Sequence, residues 1–179
     1  MAKASSNTWF TLSFDNDPRP LKYALEKFNE LNSLLEDIVP SSETGFSTVY
    51  TIQPLTESII EKSVAIGGNA MGMDRHINDG NGILFLVILA IEGADAERSA
   101  VPLVETFAKD VEAYAGSLGL GRPWKYLNYA HSSQDPIATF GDDTIGLLRA
   151  ASRKYDPKGV FQRLRVSGFK IPWDWEALG

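Results

Sequence analysis

The sequence has no cysteine and only two histidines, His76 and His131. The first absence excludes disulfides, thiolate metal sites and a cysteinyl cofactor link. The second leaves too few imidazoles for a histidine-rich metal centre, so no metal is expected. Positive charge is scarce as well: 17 Lys and Arg stand against 23 Asp and Glu, a formal net charge of −6. With no basic stripe or Arg-rich run, neither nucleic acid nor an anionic membrane is an expected partner. Long apolar runs are missing. The longest, Ile83 to Ile91, is too short to span a bilayer, and the opening Met-Ala-Lys-Ala-Ser-Ser-Asn has no signal core. Cytoplasmic residence is therefore expected, and the start methionine suggests a complete gene product. Generic chemical signatures are absent too: no phosphate-binding P-loop, no nucleophile elbow, no HExxH. The glycine-rich stretch Gly67 to Gly72 lacks the dinucleotide fingerprint spacing and a following helix, and reads as a backbone bend.

What is present is ample apolar material: 44% hydrophobic and 11% aromatic residues in a chain of 179, enough for one domain over 1–179 with a real core. Residues 8–15 alternate as a half-buried strand, with Phe10, Leu12 and Phe14 on one face and Trp9, Thr11 and Ser13 on the other. Asn16 to Pro20 reads as a turn. A helix follows from about Leu21 to Ile38, its stripe formed by Leu21, Leu25, Phe28, Leu31, Leu35 and Ile38, and Pro40 is expected to stop it. Ser47 to Gln53 reads as a strand, Thr56 to Val64 as a short helix, and Gly67 to Asp74 as an irregular strand. The Gly80-Asn81-Gly82 turn leads into the strand Ile83 to Ile91. A second long helix spans about Ser99 to Leu118, with Pro102 in its first turn. Trp124 to Tyr129 reads as a strand, and a last helix, capped by Asp142 or Asp143, runs to Tyr155. A loop through Ile171, Pro172 and Trp173 closes the chain.

This order predicts an α+β fold, an antiparallel β-sheet with amphipathic helices packed on one face. Ile83 to Ile91 is apolar on both faces, so its strand is central and covered on both sides. Helices cover one face. Tail residues and loops, or else a partner or hydrophobic ligand, cover the other.

The C-terminal third carries a run of fixed positions. It reads Trp124-Lys125-Tyr126-Leu127-Asn128-Tyr129-Ala130, then Gln134-Asp135-Pro136 and Phe140-Gly141. Lys154-Tyr155-Asp156-Pro157-Lys158-Gly159-Val160-Phe161-Gln162 follows, and Gly168-Phe169-Lys170 closes the run. This resembles the C-terminal substrate-binding domain of berberine-bridge-type FAD-linked oxidases in their fungal form. Upstream, Gly45 to Tyr50 and Gly68 to Met73 resemble the same domain, so the likeness runs from about Trp9 to Ile171. The chain differs from the family pattern at His131, Phe140 and Ser167, where an acidic residue, a tyrosine and a glycine are usual.

The resemblance implies a sheet that roofs a substrate over a flavin held by a separate N-terminal domain, often tethered through His and sometimes Cys. These 179 residues contain no such domain. The resemblance therefore implies a stand-alone, flavin-independent enzyme of fungal secondary metabolism. It would bind a hydrophobic polyketide or terpenoid intermediate and catalyse a non-redox cyclisation, isomerisation or pericyclic, Diels–Alder-type step. The alternatives are a split subunit of an FAD-dependent oxidoreductase, with FAD as cofactor, and a metabolite-binding protein without catalysis. The candidate catalytic residues are Tyr126, Asn128 and His131: a phenol, an amide and a group suited to proton transfer near neutral pH. Trp9, Tyr50, His76 and Tyr129 are the candidate substrate-binding residues, and the pocket is expected on the sheet face away from the long helices. Taken singly, each histidine also reads as an ordinary surface or hydrogen-bonded residue. A homodimer is expected, because a sheet face without its partner domain leaves apolar surface to cover.

Overall fold

Three long strands build the frame: β1 (Ser5–Asp15), β2 (Phe46–Leu55) and β3 (Gly82–Glu92). A two-residue β4 (Gly121–Arg122) completes a four-stranded sheet in the order β2-β3-β1-β4. All pairings are antiparallel. The structure is a computed structural model describing residues 5–39, 45–76 and 79–172. The doubly apolar strand is central, as its composition requires. The helices are α1 (Pro18–Ile38), α2 (Glu57–Ala65), α3 (Ala94–Ser117), α4 (Asp142–Tyr155) and the single turn α5 (Val160–Arg163).

The larger core lies between one sheet face and the two long helices, α1 and α3. Phe10, Leu12 and Phe14 from β1 and Phe85, Val87 and Leu89 from β3 meet Phe28, Leu31 and Leu35 of α1 and Val104, Phe107 and Val111 of α3. Full burial of each large side chain contributes about 1.5–3 kcal/mol. A smaller core covers part of the far face. There Leu84 meets Ile60 of α2, Ile145 of α4, and Met73, Trp124, Ile137 and Phe140 from the connecting segments. Loops and short helices thus cover the Leu84 end of the far face. Farther along β3, Ile88 and Ala90 stay half-buried.

Several sequence expectations need correction. Helix α1 starts three residues earlier than its apolar stripe suggests. Asp17 is the N-cap, and its carboxylate accepts from the Arg19 backbone N–H (2.9 Å). Pro18 and Pro20 occupy the first turn, where a missing N–H costs nothing. Pro40 lies outside the described residues. Helix α3 begins at Ala94, which puts Pro102 inside it rather than in its first turn. Gly67 to Asp74 forms turns leading into a 3-10 helix (Met73–His76), not a strand. Trp124 to Tyr129 is also not a strand: only Gly121–Arg122 pairs with β1, and Leu127–Tyr129 is a 3-10 turn. Gly141, rather than Asp142 or Asp143, occupies the cap of α4. Trp173 lies outside the described residues.

Candidate functional site

Strand register decides which side chains share a face. Trp9 pairs with Ile88, and Ile88 with Val49, so these three form one row across β1, β3 and β2 on the far face. Trp9 and Ile88 are half-buried and Val49 is 51% exposed. The neighbouring row, Thr11–Leu86–Thr51, is more covered: Thr11 and Leu86 are buried and Thr51 is half-buried. The far face therefore has a closed end over Leu84 and an open apolar end over Ile88.

The segment after β4 runs along the outer edge of β1 and borders this open end. It is held at several points. Ser13 Oγ donates to the Trp124 carbonyl, Trp124 Nε1 donates to the Met71 carbonyl (2.8 Å), and Lys125 Nζ pairs with Glu112 of α3 (2.5 Å). Gln134 makes the closest tie. Its Oε1 accepts from the Thr11 N–H (3.2 Å) and its Nε2 donates to the Thr11 carbonyl (2.8 Å). The side-chain amide thus pairs with the strand edge as a neighbouring peptide would. The same Oε1 accepts from the His131 N–H (3.1 Å).

Anchored in this way, the segment lays an aromatic ladder over the far face. Trp124 faces Tyr126 at 6.0 Å, Tyr126 meets Tyr129 edge-on at 4.8 Å, and Tyr129 meets Trp9 at 5.4 Å. Asn128 Nδ2 donates to the Tyr126 hydroxyl (2.9 Å). The phenol proton stays available to a further acceptor, and a donor bonded to the phenol oxygen polarises it. Trp9, Asn128, Ala130 and His131 line a cleft of about 470 Å³ along the β1 edge.

The structure thus brings Trp9, Tyr126, Asn128 and Tyr129 together. His131 borders the same cleft but turns around the strand edge. Its ring stacks on Phe10 (4.4 Å), whose side chain belongs to the helix-side core. It lies near Glu105 of α3, whose carboxyl is held below its usual range. The main cause there is a hydrogen bond from Lys109, opposed by desolvation and helped by the charges of Lys109 and His131 and a hydrogen bond from Ser133. His131 Nδ1 accepts from the Ser133 N–H (3.2 Å). Nδ1 also lies 2.9 Å from the Ser133 hydroxyl, so that nitrogen is engaged by Ser133 and is not a free base for the cleft.

Two expected site residues lie elsewhere. Tyr50 pairs in register with Val87 on the helix side, and its ring stacks on Phe85 (5.7 Å) and meets Phe28 edge-on (5.0 Å). It belongs to the opposite face from the expected pocket. His76 sits beneath the covered end of the far face. Its Nδ1 pairs with Asp79 (2.5 Å), and its ring lines a small closed pocket with Ser13, Arg122 and Trp124. Arg122 beside it is buried, bonding Asp15 (2.7 Å) and the carbonyls of Asp79 and Gly80 (2.6 and 3.0 Å). Ile88, Val49 and Gln134 are not among the candidate site residues read from the sequence. The doubly apolar β3 was the signal for Ile88, and no sequence pattern marks Gln134 as an edge brace.

No protein-family model matches the chain, and no solved structure matches it. Among curated proteins it is 33% identical over 171 residues to the FAD-dependent monooxygenase drtC of Aspergillus calidoustus, an alignment spanning 93% of this chain and 32% of drtC. It is 34% identical over 145 residues to the FAD-dependent monooxygenase FUP4 of Fusarium proliferatum, spanning 76% of this chain and 27% of FUP4. It is 32% identical over 153 residues to the bifunctional solanapyrone synthase of Alternaria solani, spanning 84% and 29%. The chain spans about a third of the length of the curated relatives it matches.

The two monooxygenase names imply FAD, and the glycine-rich segment does not build a cradle for its pyrophosphate. The glycine-rich segment is already occupied by protein. The Asn69 N–H is taken by the Asp74 carboxylate (3.0 Å), a Cβ on Gly68 would meet that carboxylate, and one on Gly72 would fall on the Phe140 carbonyl. A carboxylate at this position repels a phosphate rather than holding it.

Proposed function

We propose that this chain, homologous over most of its length to part of fungal FAD-dependent monooxygenases and of solanapyrone synthase, binds a hydrophobic, carbonyl-bearing secondary metabolite on its open sheet face. There it promotes a non-redox ring closure or isomerisation. The observation that carries this reading is the juxtaposition of an open apolar row, Trp9–Ile88–Val49, with the hydrogen-bonded pair Tyr126 and Asn128. The row and the Tyr129 ring hold a planar or extended substrate in a reactive conformation, an entropic contribution. The Tyr126 hydroxyl, polarised by Asn128, donates to the substrate carbonyl oxygen and stabilises charge that grows there during reaction.

The test is to incubate the purified protein with linear polyenone substrates, following the cyclised or isomerised product by chromatography and mass spectrometry while recording flavin absorbance. Tyr126→Phe or Asn128→Ala should lower turnover by roughly tenfold or more, about 1.4 kcal/mol of transition-state stabilisation. Unchanged turnover in both, with the circular dichroism spectrum intact, removes the pair from the mechanism.

A second reading, in which another polypeptide brings the flavin, is favoured by one observation. Leu147, Tyr155, Phe161, Leu164 and Val166 on and after α4 and α5 are 70–97% exposed, and large apolar side chains left open are what a partner surface covers. A homodimer would cover the same residues. Light scattering of the protein alone, and again with an FAD-binding chain, separates the two occupants.

A further inference from the structure

A second cleft, of about 500 Å³, opens between the Leu127–Tyr129 turn and the segment that follows α5. Asn128 and Ala130 line both this cleft and the one along the β1 edge, so the two lie on either side of those residues. Its walls divide by chemistry. Phe161, Phe169 and Ile137 supply apolar surface, Arg165 and Lys170 supply positive charge, and no acidic residue lines it. That placement stands out in a chain of net charge −6. Lys170 Nζ donates to the Ser167 carbonyl (2.9 Å), which holds the ammonium at the cleft wall. Among the described residues no carboxylate pairs with either cation.

We infer that this cleft binds the carboxylate end of an amphiphilic carboxylic acid. The planar Arg165 guanidinium suits a two-oxygen acceptor and the Lys170 ammonium adds a second donor. The hydrocarbon next to the carboxylate lies on Phe161 and Phe169, and the rest of the molecule extends toward Asn128. This deepens the proposed function by naming the substrate class, and it rests on that reading only for where the reacting carbonyl sits.

The probe is trans-parinaric acid, a fluorescent polyene carboxylic acid, titrated against the full chain beside its methyl ester. The acid should bind roughly fivefold to tenfold tighter than the ester, a modest factor because both cations are reached by solvent. The preference should shrink as salt rises. The double variant Arg165→Gln, Lys170→Gln should bind acid and ester alike, at the wild-type affinity for the ester. Equal binding of acid and ester by the wild type overturns the inference. So does failure of the acid to bind, or an acid preference that survives the double substitution. Trp9→Ala separates this inference from the reading of the sheet face. If the acid preference stands while Trp9→Ala leaves both affinities unchanged, the cation pair is retained and the Trp9 platform is lost.

Discussion

Replacing Gln134 by alanine tests how the site is held to the fold. The substitution removes three hydrogen bonds, to the Thr11 N–H, the Thr11 carbonyl and the His131 N–H, at 3.2, 2.8 and 3.1 Å. Thr11 is 0% exposed, so water does not reach its backbone groups unless the edge opens. At about 1 kcal/mol net for each bond the loss is about 3 kcal/mol. For a domain of this size that corresponds to a fall in melting temperature of roughly 6–12 °C. Urea unfolding gives the free energy and a thermal melt followed by circular dichroism gives the temperature. Gln134→Glu refines the test. It sets a carboxylate oxygen where Nε2 faces the Thr11 carbonyl, which raises the carboxyl pKa in the folded state above its unfolded value. The stability cost is then absent below the ordinary glutamate pKa of about 4.3 and grows as pH rises through the folded value. The glutamate variant should therefore come closest to wild type in acid. If Gln134→Ala shifts stability by less than about 0.5 kcal/mol, the ordinary range for a surface change, the amide is not pairing with the strand edge.

Three further outcomes follow from the geometry. Gly72→Ala should lower the urea midpoint by an amount equivalent to about 1–3 kcal/mol, because Gly72 has φ +70° and a Cβ there meets the Phe140 carbonyl; a wild-type midpoint would remove that contact. Tyr50→Ala should reduce stability through loss of its contacts with Phe85 and Phe28, about 0.5–1.5 kcal/mol beyond lost area. It should leave turnover unchanged, and a turnover defect in a folded Tyr50→Ala protein would move the site to the helix side. Asp17 is held below its usual carboxylate range, chiefly by the Arg19 side chain and then by the Arg19 backbone N–H. Its contribution is therefore full above the ordinary aspartate pKa and disappears as pH falls through the lowered value, so melting temperature against pH should show a shallower acid limb in Asp17→Asn than in wild type.

The sequence by itself determined the elements whose signals are local. Alternation in 8–15 marked β1 and put Phe10, Leu12 and Phe14 on one face, where the structure finds them in the core. The three- and four-residue spacing of Leu21 to Ile38 marked the first long helix, and the second was read over about Ser99 to Leu118, where α3 (Ala94–Ser117) lies. The unbroken apolar run of β3 required a central position, because no edge strand with one wet face would carry it. The C-terminal run of aromatic and amide residues marked the segment that borders the open face.

Tertiary structure decided the rest. Alternation says which residues of a strand share a face, but not which face meets the helices. Tyr50 was misplaced for that reason: its side is set by the register that pairs it with Val87. Trp124 to Tyr129 has strand-like composition and still does not pair as a strand, because its Trp124 contacts and the Gln134 brace come from residues far away in sequence. His131 follows the same rule. Its place along the chain suggests a proton-transfer residue beside Tyr126 and Asn128, while stacking on Phe10 and contact with Ser133 set its ring direction. Periodicity encodes only how a segment divides between apolar and polar sides. Pairing register and hydrogen bonds over long sequence separation determine which sides come together, and the site is made of those.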